Sequence, residues 1–283
     1  MDTTVILRFV RDDGRKFIID ETDWGALTID GASAPSYEIF SESRAVGDGS
    51  IITGKRVGTR DFQVKANAMN LNNNDILRKQ ALTFFNPKQR YRIYLSYMSA
   101  EYWIDGTLSA FSCPNKHIWE PQELTAMFFC PNPYWNSVDG FGQDIASETA
   151  RWGFPYMDNP KYGVLVSTYN FGREVTFDYD GDVPSYFIAE LTADDTVENP
   201  KLIKDNYFVR VLDTLRAGDK IVINFETARI TKNGENIISK VDRTSNFTDI
   251  IMSPGLNHIS YEADSGDNNL HVVIQYYKKY LGV

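Results

Sequence analysis

Cysteine is almost absent from this chain. Its 283 residues include two, Cys113 and Cys130. Two thiols make no disulfide framework. They flank an expected hairpin whose turn lies near Pro114-Asn115-Lys116, which sets Cys113 opposite Ile118 and away from Cys130, so both are read as buried free thiols. Histidine is as scarce. His117, His258 and His271 fall in no His-Glu-x-x-His spacing, so neither a metal nor another cofactor is expected. Long apolar runs are missing too, and none approaches the roughly 18 residues of a membrane helix. The start, Met1-Asp2-Thr3-Thr4, lacks a basic region and apolar run, so synthesis in a cytoplasm is expected. There is no Gly-x-Ser-x-Gly elbow and no phosphate-cradling glycine loop ahead of a helix. These absences together argue against an enzyme.

Excess positive charge is also lacking. Residues 1–135 hold 15 Lys+Arg and 16 Asp+Glu, a net of −1; residues 136–283 hold 14 and 22, a net of −8; the sum is the −9 of the whole. Neither half offers a groove that would grip nucleic acid, and the acidic half repels it. The densest acidic cluster, Asp178-Tyr179-Asp180-Gly181-Asp182, mimics the start of a calcium loop. Val183 and Ala189 stand where such a loop needs glycine and glutamate, so a hairpin turn of solvated carboxylates is the simpler reading. Glu120 and Glu123 are expected to pair with basic side chains at the surface.

What is present is β-strand patterning. Val5–Val10 and Lys16–Ile19 flank the turn Asp12-Asp13-Gly14 as a hairpin. Ser36–Ser41, Asp61–Ala66, Tyr91–Leu95, Glu101–Leu108 and Leu124–Phe129 continue the pattern. Residues 42–60 differ: Gly47, Gly49, Gly54 and Gly58 suit a mobile loop or extended arm, with positive charge from Lys55, Arg56 and Arg60. One helix stands out at about 74–86. Asn72-Asn73-Asn74-Asp75 offers capping oxygens, Leu77, Ala81, Phe84 and Phe85 form one apolar stripe, and Asn86-Pro87 ends it.

Pro131 and Pro133 cannot continue a central strand, which closes a first domain at Trp135. Residues 136–160 read as a linker. Residues 161–283 read as a β-sandwich, with strands near Gly163–Thr168, Glu174–Phe177, Tyr186–Leu191, Tyr207–Leu212, Asp219–Phe225, His258–Tyr261 and His271–Tyr277. Trp152, Tyr156 and Tyr162 either plug a seam or, if exposed, stack on sugar rings as a carbohydrate-binding module would.

The order of these parts resembles the distal tail protein family of long-tailed phages. The resemblance rests on Gly49–Arg56 followed by Arg60-Asp61-Phe62, on the helix ending Phe84-Phe85-Asn86-Pro87, and on Phe129–Trp135. In the second half it rests on Ala217–Ile221 and Ser253–Ile259. It implies a mostly β fold: an N-terminal barrel-like domain with one helix, then a galectin-like jelly-roll sandwich. It implies a closed ring of this chain, commonly a hexamer, at the tail tip of a virion. The ring would join the tail tube protein to the tail-associated tip protein, with receptor-binding proteins docked outside. DNA would only pass through its lumen, and no membrane is involved. The expected ring contacts are the 42–60 segment and the Lys88–Tyr94 edge: Arg44, Ile51, Lys55, Arg56, Arg60, Arg90 and Arg92.

Overall fold

A computed structural model of the chain describes residues 5–98, 100–116, 120–138, 141–144, 148–150, 167–169 and 174–283. The fold is mostly β, as expected, with one α-helix among the described residues. The chain divides into two compact units, residues 1–138 with 279–283 and residues 139–278.

The first unit contains β1 (Ile6–Arg11), β2 (Lys16–Ile19), β3 (Trp24–Asp30), β4 (Tyr37–Ser43), β5 (Ser50–Val57), β6 (Arg60–Ala68), α1 (Asn74–Phe84), β7 (Arg90–Tyr97), β8 (Ala100–Ser112), β9 (Glu123–Cys130) and β10 (Trp135–Ser137). Its main sheet runs β2-β1-β7-β8-β9-β6-β3, and β10 bridges β8 and the C-terminal strand Lys279–Tyr280. Burial alternates strictly along β6 and nearly so along β1 and β9, so each strand turns one face to the core. The β1–β2 turn closes as the sequence predicts: Gly14 takes φ +84°, open only to glycine at low cost, and its N–H donates to the Arg11 carbonyl at 2.9 Å. The outermost strands β2 and β3 are joined by only four residues, 20–23. Such a link reaches at most about 18 Å. Seven strands laid flat would hold those edges about 29 Å apart. The sheet therefore curls. The described pairings include none between β2 and β3, so the curl is barrel-like without closing through hydrogen bonds.

Helix α1 covers this core through the predicted stripe. Leu77, Ala81, Phe84 and Phe85 are buried, and Phe85 packs among Phe9, Phe17 and Phe111 with ring centroids 5.6, 5.0 and 4.8 Å away. Such rings bury large apolar area in favourable edge and offset geometries. The N-terminal cap differs from expectation. Asn73 makes no side-chain cap bond; Asn74 instead ties the helix to the strand-connecting loop, donating to the Glu120 carbonyl at 3.0 Å. Tertiary partners outcompete local capping there. At the other end the Tyr91 hydroxyl donates to the Phe84 carbonyl at 3.1 Å, and the Arg11 guanidinium donates to the same carbonyl at 3.2 Å. These donors satisfy carbonyls that the helix itself leaves unpaired.

The second unit contains β11 (Phe141–Asp144), β12 (Glu148–Ala150), β13 (Ser167–Tyr169), β14 (Glu174–Tyr179), β15 (Phe187–Ala193), β16 (Val197–Glu198), β17 (Lys201–Lys204), β18 (Tyr207–Arg210), β19 (Thr214–Leu215), β20 (Lys220–Asn224), β21 (Arg229–Lys232), β22 (Glu235–Asn236), β23 (Gly255–Glu262) and β24 (Leu270–Tyr276). Two antiparallel sheets, β11-β24-β15-β20-β21-β22 and β14-β23-β17-β18, share one core. Leu191, Ile223 and Val272 from the first pack with Phe177, Leu202 and Ile259 from the second. This is a β-sandwich. In the acidic turn, Asp180 pairs with Lys278 at 2.7 Å and the Tyr179 hydroxyl donates to the Val183 carbonyl at 2.8 Å.

Both cysteines are buried and outside any disulfide, as expected from the sequence. Burial pushes the Cys130 thiol up to about 12. Lys116 lies 3.7 Å from Glu120 and 3.3 Å from Glu123, the expected surface pairs.

Candidate functional site

The glycine-rich segment, expected to be a mobile loop or an extended arm, supplies the tip and second strand of a β-hairpin whose first strand is the expected one near Ser36–Ser41. β4 and β5 pair antiparallel from Tyr37↔Val57 to Ser43↔Ser50, and among the described residues they pair with no other strand. Gly47, Gly49 and Gly58 mark its ends, and Gly54 sits within β5 opposite Phe40, beside the bulge. Gly47 and Gly49 take positive φ at the tip, where the Arg44 N–H donates to the Gly49 carbonyl at 3.3 Å, and the Gly58 N–H donates to the Ser36 carbonyl at 2.8 Å at the base. Between them Ile51-Ile52-Thr53 is a β-branched run, which favours strand. Glycine density signalled turns, not absence of structure.

The hairpin exposes large apolar groups on both faces. Tyr37, Ile39, Phe40, Ile51 and Ile52 are 47–61% exposed. An isolated two-stranded hairpin is marginal in water, and contiguous exposed apolar groups mark contact surfaces. Charge on the hairpin is asymmetric: β4 carries only Glu38 and Glu42, while β5 carries Lys55 and Arg56. Arg56 Nε donates to Glu38 Oε2 at 2.6 Å, and its guanidinium stands 5.4 Å from the Phe40 ring centre. Arg44, Ile51, Lys55 and Arg56 therefore share one projecting, exposed element.

Arg60 does not belong with them. It is 2% exposed and clamps three chain segments from inside. Nε donates to the Pro133 carbonyl at 2.6 Å, Nη1 to those of Gly31, Ala32 and Ser33, and Nη2 to that of Leu281. Trp135 Nε1 adds a bond to the Ala32 carbonyl at 3.0 Å. Burial pulls the Arg60 pKa down from its ordinary value. Its polar atoms are spent within this chain, so it is an internal clamp at the hairpin's base and not a surface contact. Sequence reading counted its charge with its neighbours and had no means to see that alternation turns Arg60 inward at the start of β6.

Arg90 and Arg92 stand on the outward face of β7. Arg92 makes a bidentate pair with Asp105, at 2.7 and 3.0 Å, and its guanidinium lies 3.9 Å from the Trp103 ring centre. The Asp105 hydrogen bond raises its pKa. One strand over, Arg8 lies 4.3 Å from the Tyr94 ring centre and 2.6 Å from Glu101. Register explains the lattice, because Arg8, Tyr94 and Trp103 lie opposite one another across β1, β7 and β8. Arg92 is thus engaged at home, while Arg90 is exposed. Trp152, Tyr156 and Tyr162, the residues considered for stacking on sugars, lie outside the described residues.

A curled, helix-covered sheet with an exposed hairpin, followed by a two-sheet sandwich, makes a two-part β scaffold. Solved structures share it. The Dit protein of phage SPP1, described as a paradigm of the hub adsorption apparatus in phages infecting Gram-positive bacteria, superposes with a TM-score of 0.68 at 16% identity, over 96% of this chain and 98% of that one. The phage P2 baseplate in its activated conformation with Ca contains a chain matching at a TM-score of 0.55 and 11% identity over 100% of both, and its counterpart with Sr matches at 0.55 and 12% over 99% of both. Residues 180–280 match the family model of the siphovirus-type tail component, C-terminal domain. No curated protein matches the chain in sequence. The fold of this chain thus follows that of the SPP1 Dit protein along nearly its whole length, and the likeness to the siphovirus-type tail component lies in its second unit.

Proposed function

We propose that this chain is the ring-forming hub of a phage tail tip. Copies associate head-to-tail into a closed, six-membered ring between the tail tube and the tail-associated tip protein. A heterologous interface closes in this way when its rotation divides a full turn. The second unit, which carries most of the negative charge, is the platform for receptor-binding proteins. The nearly neutral first unit surrounds a lumen through which DNA slides without adhering. The protein works in the virion, at the tip of the tail. The ring contacts are the β4–β5 hairpin, with Arg44, Ile51, Lys55 and Arg56, and the outward face of β7 at Arg90 and Arg92, an interior strand of the sheet and not the edge expected at Lys88–Tyr94.

The observation that carries this reading is the correspondence of fold along nearly the full length of a known hub protein. The test is the mass and shape of the purified chain, by light scattering and negative-stain imaging, alone and with the tail tube protein. A ring of about six copies with a central hole is expected. A monomer under both conditions would overturn the reading.

A further inference from the structure

A second feature of the first unit is complementary to the hairpin. β2 is an outer strand of the main sheet, and among the described residues it pairs only with β1. Beside it a groove of about 870 Å³ runs between β2 and α1. Its apolar lining includes Phe17, Phe84 and the half-exposed Ile76, with Ile18 also exposed on the strand. Its charged lining is Arg15, Lys16 and Lys79 against Asp75 alone. Lys16 and Lys79 are exposed and have no ion pair among the described contacts, while Arg15 reaches Asp13 only at 3.6 Å. An outer strand with unused backbone hydrogen bonds next to a basic, apolar-lined groove is a receptor for an extended acidic and apolar segment.

The chain supplies one such segment. On β4, Glu38, Phe40 and Glu42 share one face, since side chains alternate along a strand, and the bulge in the hairpin falls on β5 and leaves β4 regular. That face reads acid, aromatic, acid. β5, with Lys55 and Arg56, has the wrong sign for the groove. The exposed Glu38–Arg56 pair contributes little and is readily exchanged.

We infer that β4 of one copy docks on the β2 edge of the next copy, with Phe40 in the groove beside α1 and Glu38 and Glu42 facing Lys16 and Lys79. The inference rests on the proposed ring and adds one complementary pair of surfaces to its contacts. Each copy carries both surfaces at different places, which is what a head-to-tail contact requires.

Charge reversal tests it in the full-length chain. The double variant Glu38→Lys with Glu42→Lys and the double variant Lys16→Glu with Lys79→Glu should each lose the ring in light scattering and negative-stain images. The chain carrying all four changes should recover it, because its arm and groove are again complementary, and recovery also shows that the changes are compatible with folding. Rings in both double variants would overturn this inference and leave the ring reading standing, with the groove free for a different protein. Loss in the double variants without recovery in the combination would overturn it as well. A wild-type chain that forms no ring, alone or with the tail tube protein, would sink the ring reading and this inference together.

Discussion

At the scale of single residues, Arg60 is the most consequential. Five backbone carbonyls from three segments depend on one planar cation. Replacing it by methionine leaves buried acceptors without donors, and the expected loss is on the order of 3–5 kcal/mol. Lysine recovers little, because a point ammonium cannot serve a fork of acceptors. Urea titration followed by tryptophan fluorescence checks this. Four of the five tryptophans lie within residues 1–138, so the signal reports the first unit. A midpoint unchanged in Arg60→Met would show that the clamp is dispensable. Gly31, beside it, is fixed for a related reason: it takes φ +82°, and a Cβ there would overlap the Asp61 carbonyl.

At the scale of elements, the β20–β21 region of the sandwich carries an ion network. Lys232 lies 3.2 Å from Asp213 and 3.1 Å from Asp219, and Lys240 lies 3.0 Å from Asp213. The Arg216 N–H, the Asn233 amide and Lys232 hold the Asp219 carboxyl down to about 2, against an ordinary value of 3.8. Burial opposes the shift at Asp213, yet hydrogen bonds from Lys240 and Lys232 outweigh it and its pKa also falls. Both groups are depressed in the folded state, so their contribution is complete above the unfolded value. It is lost as pH falls from near 4 toward 2, where the unfolded chain takes up protons first. Acid titration should therefore show unfolding free energy dropping through this window, with a shallower slope in Asp219→Asn. An equal slope in that variant would remove Asp219 from the account.

At the scale of the whole molecule, the hairpin is the exposed element whose environment assembly would change. Trypsin should cut the free chain at Arg44, at the exposed tip, and sites in the assembled ring should be protected if the hairpin is the arm. Equal cleavage in both states would show that the arm lies outside the contact. The same scale decides the topology of the first unit. Tyr280 pairs with Trp135, so the last residues of the chain complete a sheet begun some 270 residues earlier.

Local periodicity carried much of this protein. The 3.6-residue stripe of Leu77, Ala81, Phe84 and Phe85, the two-residue alternation of β6 and β9, and the glycine turn at Gly14 were legible because each depends on near neighbours along the chain. Free buried thiols and surface pairing of Glu120 and Glu123 with a basic side chain are legible for the same reason, while the partner, Lys116, is given by the fold. β3, whose burial does not alternate, and the four-residue β17 carry no clear pattern in sequence, because cross-strand partners far away set them. The second strand of the hairpin is hidden in sequence, where four glycines mask its β-branched run and leave a mobile loop and an extended arm as equal readings. Arg60 was counted as surface charge because only the fold brings Gly31, Pro133 and Leu281 around it. The basic groove between β2 and α1 lies between residues some sixty positions apart, and no local pattern announces it. Sequence alone determined which residues form strands and helix and which face they bury, since backbone sterics and solvent act locally. Tertiary structure decided which strand lies at an edge, which arginine is enclosed and which apolar face is left uncovered, because those depend on neighbours that only folding brings together.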